Sequence, residues 1–302
     1  MKVNYTKTCT QPKDIVSLLK QRGLTISDEQ KTVCYLTNIG YFRMSAYLHP
    51  LLKSPKKDHI FKENTTFDMA IDMYRFDRKL RILLFNEIEK IEVAIRSAMN
   101  NWICDGLNDV FWMTDPKNFK NSEIFTKTID IIQIEISKTK EEFIIHFQNK
   151  YSNPYPPAWM ISEIIPFGTL CNIFNNLKRK SLKKKISNSF GLTLPVFSSW
   201  ILILSNLRNL CGHHIRVWNK QVSIIAINPN RHKYPWIINT NTDMKRIYYR
   251  ICIIKYLLFT VSPNNTFTNK LKSLFALFPS IDIKSMGFPI DWEKEPLWSQ
   301  KN

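Results

Sequence analysis

The feature that most constrains the fold is a long run of apolar residues spaced at helical intervals. The apolar positions recur close to every 3.6 residues, which is the repeat of one face of an α-helix. They are Phe67, Ala70, Ile71, Tyr74, Leu80, Leu84, Ile88, Ile91, Ile95, Ala98 and Trp102. A helix of this length needs other helices to cover its apolar face, so the pattern predicts a mainly helical fold.

The remaining chain contains further helical patterns and little evidence of strands. Helices are expected over residues 13–22, 27–36, 123–148, 160–177, 196–214 and 243–261. Ser27 is expected to cap the second of these, and Gly168 to make the fourth irregular. Only VSIIAI (222–227) has the composition of a strand. The predicted fold class is therefore all-α.

The length and the element order suggest how the chain is organised. A chain of 302 residues can bury a large core, in one extended domain or in two smaller ones. We expect an N-terminal helical segment over residues 1–62, a helical core over 63–262, and a C-terminal helix and tail over 263–302.

The composition excludes several classes of protein. Seven glycines, no two within four positions, rule out the dinucleotide-binding fingerprint and the phosphate loop. No apolar run reaches the ~18 residues of a membrane span, and the N-terminus lacks the apolar core of a secretory signal. Six scattered cysteines without a CxxC indicate reduced thiols in the cytoplasm. Cys211 and His213 are too few to bind zinc, so we expect neither a metal nor a cofactor.

The positive charge is concentrated in one segment. The net charge is +18, and residues 164–242 contain eleven lysines and arginines but no acidic residue. Such a segment repels itself unless a polyanion neutralises it, which points to RNA, DNA or an anionic membrane. Nucleic acid is favoured because no amphipathic membrane anchor accompanies the charge. The cations expected to bind RNA are Lys178, Arg179, Lys180, Lys183, Lys184, Lys185, Arg216 and Lys220.

Within this segment lies RNLCGHHIRVWN, residues 208–219, directly after an apolar run. One interpretation is a polar helix end, where histidines and arginines interact with unpaired carbonyls. The other is an anion site, because histidine transfers protons near neutral pH and the arginine fork matches phosphate oxygens. Arg208 and His213 lie about 140° apart on a straight helix, so one helix does not bring them together. Two copies in a twofold dimer would form a composite site.

These groups suffice to cleave RNA without a metal. A histidine can assist the attack of the 2′-hydroxyl on the neighbouring phosphorus, or protonate the leaving 5′-oxygen. Arginine then stabilises the developing negative charge. DNA lacks the 2′-hydroxyl and does not react by this route.

The stretch 208–214 resembles the R-x(4–6)-H signature of HEPN-domain ribonucleases, and the whole chain resembles the Abi-like proteins of abortive infection (the AbiD/AbiF group). Four ordered segments carry the resemblance, namely residues 23–50, 76–97, 156–177 and 199–219. It implies a HEPN-like helical bundle with additional N-terminal helices, a homodimer, and an RNA-cutting toxin of phage defence. It also implies that a structured non-coding RNA can be bound.

The resemblance assigns roles to individual residues. Arg208 and His213 would be the catalytic pair, and Asn209 the polar residue that usually follows the arginine. His214 fits the longer R-x5-H spacing, so the identity of the acid or base stays open. Arg216 and Asn219 match downstream family positions with substrate or structural roles.

Two further choices stay open. Glu92 and Arg96 either form a structural ion pair on the long helix, or Glu92 orients an active-site arginine or histidine of the facing helix. The protein as a whole is predicted to be an endoribonuclease, with two rivals. One is a non-catalytic protein that holds a non-coding RNA, and the other is a DNA-binding regulator.

Overall fold

The computed structural model describes residues 3–6 and 8–299. In these residues thirteen α-helices are joined by loops and short 3₁₀ turns, and the only β-pairing is four isolated bridges. The predicted all-α fold is therefore confirmed. The helices are α1 (Pro12–Gln21), α2 (Glu29–Ile39), α3 (Tyr41–Leu48), α4 (Phe67–Leu107), α5 (Ser122–Lys138), α6 (Glu142–Lys150), α7 (Ala158–Ile164), α8 (Phe167–Asn176), α9 (Lys180–Ser189), α10 (Leu194–Gly212), α11 (Ile247–Val261), α12 (Phe267–Leu277) and α13 (Pro296–Ser299).

The first compact unit comprises the described residues up to Leu80 together with Leu274–Ile281. The Tyr47 hydroxyl donates a buried hydrogen bond of 2.7 Å to Asp77 Oδ2. The cap of α2 is Asp28, whose side chain accepts from the Lys31 amide at 2.8 Å. The expectation that Ser27 caps this helix was wrong, because the extended residue immediately before the first turn is Asp28.

The second unit comprises Arg81–Ser273 and Asp282–Asn302, as far as the structure describes them, and contains the candidate site. Helix α10 packs against α8, α9 and α11. Helix α11 is buried at every residue from Ile247 to Leu258, so it is surrounded by other elements. The predicted domain boundaries at 62/63 and 262/263 stay predictions.

The expected helices are present, but two of them are interrupted. The helix predicted over 123–148 consists of α5 and α6, which are separated at Thr139. The helix predicted over 160–177 consists of α7 and α8, and the break lies at Pro166 rather than at Gly168. Proline forces the preceding Ile165 into an extended conformation (ψ 148°) and lacks the amide that the helix would need.

Residues 222–227 are irregular, with a bend at Ser223, and form no strand, so the predicted strand was wrong. No neighbouring strand in the described part of the chain binds this backbone: the Val222 amide donates to the Lys245 carbonyl at 3.1 Å, and the other bonds are to side chains. Ser199 accepts from the Ile227 amide at 3.1 Å, Trp200 donates to the Ile227 carbonyl at 2.9 Å, and Arg250 donates to the Ile224 carbonyl at 2.9 Å. No helix among the described residues is long and apolar enough to cross a membrane.

Candidate active site

Helix α10 presents the motif at its C-terminal end. Pro195 lies in its first turn, where the missing amide costs nothing. The helix is apolar for most of its length, and Trp200, Leu204 and Leu207 are fully buried. Because these residues anchor the helix in the core, the last turn, which begins at Arg208, is held at the edge of the unit.

The helix ends in a Schellman motif built from the two histidines. The Ile215 amide donates to the Leu210 carbonyl at 2.9 Å, and the His214 amide donates to the Cys211 carbonyl at 3.1 Å. His214 has the left-handed conformation that this motif requires (φ 58°), a position usually held by glycine. The interpretation as a helix end is therefore correct for the backbone, while both histidine side chains are exposed.

Arg208 points from α10 towards α4. Its Nε is buried and lies 3.5 Å from Glu92 Oε2, an ion-pair distance without a hydrogen bond. The guanidinium carbon lies 5.5 Å from the centre of the Phe85 ring, on the same helix as Glu92. The Arg208 side chain nevertheless remains 39% exposed. Glu92 and Phe85 thus contact one edge of the Arg208 side chain, and the remainder of the side chain is exposed to solvent.

Glu92 lies between two guanidiniums. Its Oε1 is 2.5 Å from Arg96 Nη2, and Arg96 also donates to the carbonyls of Ser162 and Ile165. Glu92 and Arg96 are buried, with 8% and 9% of their surface exposed. Both expected roles are compatible with this geometry, since Glu92 pairs with Arg96 and also contacts Arg208 across two helices. One carboxylate facing two arginines leaves a local excess of positive charge, which attracts an anion.

His213 lies at the end of α10, where its backbone amide donates to the Asn209 carbonyl at 2.9 Å. No described residue forms a hydrogen bond with its imidazole ring. Asn209 is exposed on the last turn, and Arg216 is half-buried after the helix end. Because Arg208 is directed towards Glu92 and His213 towards solvent, a composite site formed by two copies stays a prediction.

Asn219 and Lys220 follow the motif and are both half-buried. Asn219 is left-handed (φ 47°) and its Oδ1 accepts from Arg246 Nη1 at 3.0 Å. Arg246 also donates to the Ser285 carbonyl at 3.3 Å. Asn219 therefore links the motif to the C-terminal part of the unit, and no contact with Arg208 or His213 is observed.

The basic segment before α10 is exposed at five of its six cations, which are Lys178, Arg179, Lys180, Lys184 and Lys185. The sixth, Lys183, is 5% exposed, and its ammonium donates to the Asn175 carbonyl at 2.8 Å. Burial lowers the pKa of Lys183 to about 8. The expectation that Lys183 binds RNA at the surface is not met, because the turn of α9 on which it lies faces the interior.

One residue at this site, Phe85, was not predicted. Phe85 lies under Arg208, and it could have been found from its spacing of seven residues to Glu92, which places both on one helical face. A Cβ at Gly212 would lie 3.5 Å from Phe85 Cε2, which is ordinary contact. Among the described residues no group of three or more His, Cys, Asp or Glu side chains is placed to hold a metal ion.

Comparison with known proteins places the chain in a family. The family model described as Abi-like protein matches residues 34–219, which is more than half of the chain and includes the whole 208–219 motif. The match suggests a role in abortive infection. No curated protein and no solved structure matches the chain. On the strength of the family match, the chain belongs to the Abi-like protein family.

Proposed function

We propose that this protein is an endoribonuclease of a bacterial phage-defence system that uses Arg208 and His213 and needs no metal. The observation that carries the proposal is the Arg208 guanidinium, which lies at ion-pair distance from the buried Glu92 and precedes an exposed histidine by five residues. An acid-free segment rich in lysine and arginine surrounds both residues. A phosphodiester is an anion that pairs with this positive charge. Imidazole is the group that can transfer the protons of the 2′-hydroxyl and the leaving 5′-oxygen.

The proposed reaction is an internal phosphoryl transfer. A base takes the proton of the 2′-hydroxyl, and the 2′-oxygen forms a bond to the adjacent phosphorus. The bond from phosphorus to the 5′-oxygen breaks, and that oxygen receives a proton. The products are a 2′,3′-cyclic phosphate and a 5′-hydroxyl, and Arg208 stabilises the charge that builds up on the non-bridging oxygens.

We assign the proton transfer to His213 rather than to His214. His214 occupies the left-handed position of the Schellman motif, so its backbone conformation is needed to end α10. His213 has an ordinary conformation (φ −87°) and an exposed imidazole ring. We therefore assign the reaction to His213, whose exposed side chain is not carried by the left-handed residue of the turn.

The proposed active unit is a homodimer, because Arg208 and His213 of one chain point in different directions. In a twofold pairing the same patch of each copy meets its equivalent, so two motifs come together. Leu202, which precedes the motif on α10, and Ile215, which lies within it, are 37% and 42% exposed, and Val93 beside Glu92 is 54% exposed. These apolar side chains are available to be covered by the second copy.

Cleavage is tested with purified protein, a labelled RNA and EDTA. We expect 2′,3′-cyclic phosphate ends, and we expect His213→Ala to abolish them. His146→Ala is the matched control, because His146 is also exposed but lies on α6 outside the site. Full activity of His213→Ala would contradict the proposal.

The composite site has its own test, in which Arg208→Ala and His213→Ala chains are co-expressed and the mixed dimer is isolated. In a site shared between copies, one of the two sites of that dimer retains an intact Arg208 and an intact His213. About half of the wild-type activity should then return. If each chain carried a complete site, the mixed dimer would be inactive.

A second candidate function is supported by the Schellman motif, which accounts for the histidine backbone without any chemistry. In that case the protein binds a structured non-coding RNA and does not cut it. Binding would depend strongly on salt and survive His213→Ala, and no RNA would be cleaved. Sequencing the RNA that copurifies with the protein identifies the ligand under either function.

A further inference from the structure

A separate cavity of about 270 Å³ opens where α4 ends and the chain enters α9. It is lined by Leu107, Lys117, Asn118, Leu177, Lys178 and Arg179. None of these belongs to the 208–219 motif. Three of the six are cations and none is acidic, which distinguishes the cavity from an ordinary surface depression.

The floor of the cavity is held by hydrogen bonds within the chain. Leu177 is fully buried and pairs with Phe119 in an isolated bridge. The Lys178 amide donates to the Asn118 carbonyl at 2.8 Å, and the Asn118 side chain donates to the Trp112 carbonyl at 3.0 Å. These bonds fix two chain segments against each other, so the apolar floor of the cavity does not depend on a ligand for its shape.

The rim of the cavity is cationic and partly fixed. Lys178 Nζ donates to the Lys117 carbonyl at 3.2 Å, and Arg179 donates to the carbonyl of Gly106 in the last turn of α4. Lys117 pairs with Asp115 at 2.6 Å, so that acid offsets one of the three charges. The Lys178 and Arg179 side chains stay exposed, and the excess of positive charge lies on their side of the opening.

The apolar floor of the cavity and its cationic rim match the two parts of a nucleotide, which are the nucleobase and the phosphates. A nucleobase can lie on the half-buried Leu107, while the flanking phosphates are within the field of Lys178 and Arg179. The volume lies just below the range for small-ligand pockets, which starts at about 300 Å³, and is too small for a base pair with its backbones. A base stacked in a duplex cannot enter, whereas an unpaired base can.

We propose that this cavity takes one unpaired nucleotide of the bound RNA, so the substrate or regulatory RNA is single-stranded or bulged at this point. The proposal rests on the proposed function only for the identity of the ligand as RNA. Lys180 and Lys184 continue the exposed cations along α9 from the rim. Beyond them Lys185 lies with its ammonium 3.8 Å from the centre of the Trp102 ring, and this row provides a path for the backbone.

Photocrosslinking of the full-length His213→Ala protein tests the proposal. The probe is a ten-residue oligouridine with a single 4-thiouridine, used alone and annealed to its complement. We expect the single strand to crosslink to peptides containing residues 107–119 or 177–179, and the duplex not to. Crosslinks of equal yield from both forms, or crosslinks to other peptides only, would overturn it.

A charge-reversal pair tests the rim. The plot of log K against log salt has a negative slope. For the single strand, Lys178→Glu should make this slope less steep by about 0.7 for each lost phosphate contact. Lys140→Glu is the matched control, because it changes the net charge equally at an exposed lysine that does not line the cavity. An equal effect of both variants overturns the proposal. RNA cleavage by the wild type without crosslinks in the cavity removes this proposal alone, and cavity crosslinks without cleavage remove only the catalytic function.

Discussion

Replacing Glu92 by glutamine tests the central interaction of the site. Glu92 is 8% exposed and lies 2.5 Å from Arg96 and 3.5 Å from Arg208. Removing one member of a buried ion pair costs about 3–5 kcal/mol, because the other charge is left without compensation. Arg96 still donates to the carbonyls of Ser162 and Ile165, so we expect the lower end, about 3 kcal/mol.

Arg208 contributes the smaller part of this loss. Its side chain is 39% exposed, so water can solvate the guanidinium when the carboxylate is gone. Ion pairs of that exposure are worth about 0–1 kcal/mol. A double-mutant cycle between Glu92→Gln and Arg208→Gln should therefore give a coupling energy below about 1 kcal/mol, whereas the cycle with Arg96→Gln should give more.

Urea unfolding of the full chain, followed by tryptophan fluorescence, measures the loss. At a slope of about 3 kcal/mol per molar urea, 3 kcal/mol lowers the midpoint by about 1 M. Glu89→Gln is the control, because Glu89 is exposed on the same helix, and we expect a change within about 0.5 kcal/mol. Equal midpoints for Glu92→Gln and Glu89→Gln would refute the role of Glu92 as the buried counter-charge.

Three further predictions concern His214, Arg208 and Lys183. His214→Gly should stabilise the protein, by up to about 1 kcal/mol, since glycine adopts the left-handed conformation freely, whereas His213→Gly should destabilise it; thermal unfolding decides. In a cleavage assay, Arg208→Lys should lose most activity, because an ammonium lacks the planar fork that faces both Glu92 and a phosphate. Burial lowers the pKa of Lys183 from 10.5 to about 8, so the unfolded chain binds more protons between these values. The stability of the wild type relative to Lys183→Met should rise from pH 8 to pH 10.5 in urea titrations.

Each of these predictions has a contrary result. A lower melting temperature for His214→Gly than for His213→Gly would show that the His214 side chain matters more than its backbone. Unchanged cleavage by Arg208→Lys would mean that charge alone is needed there. A stability difference between wild type and Lys183→Met that stays constant with pH would show that Lys183 keeps its ordinary pKa.

Much of the fold was predictable because helices are local. The 3.6-residue repeat identified α4, whose end at Leu107 lies only five residues beyond the predicted one, and the apolar run before the motif identified α10. The break at Pro166 was assigned to Gly168, although the proline supplies the stronger local reason. The irregular segment 222–227 was predicted to be a strand because its composition suits one. Whether a strand pairs depends on a neighbour that the local sequence does not reveal.

The sequence by itself determined the chemistry that is available. It places Arg208, His213 and His214 within seven positions, in a segment (164–242) that contains no acidic residue. It also carries the pattern of the Abi-like family. Only the tertiary structure decided which groups meet. Helical phase says which residues share a face, but not which helix that face contacts. The pairing of Glu92 with Arg208 and the burial of Lys183 therefore depend on how α4, α9 and α10 pack.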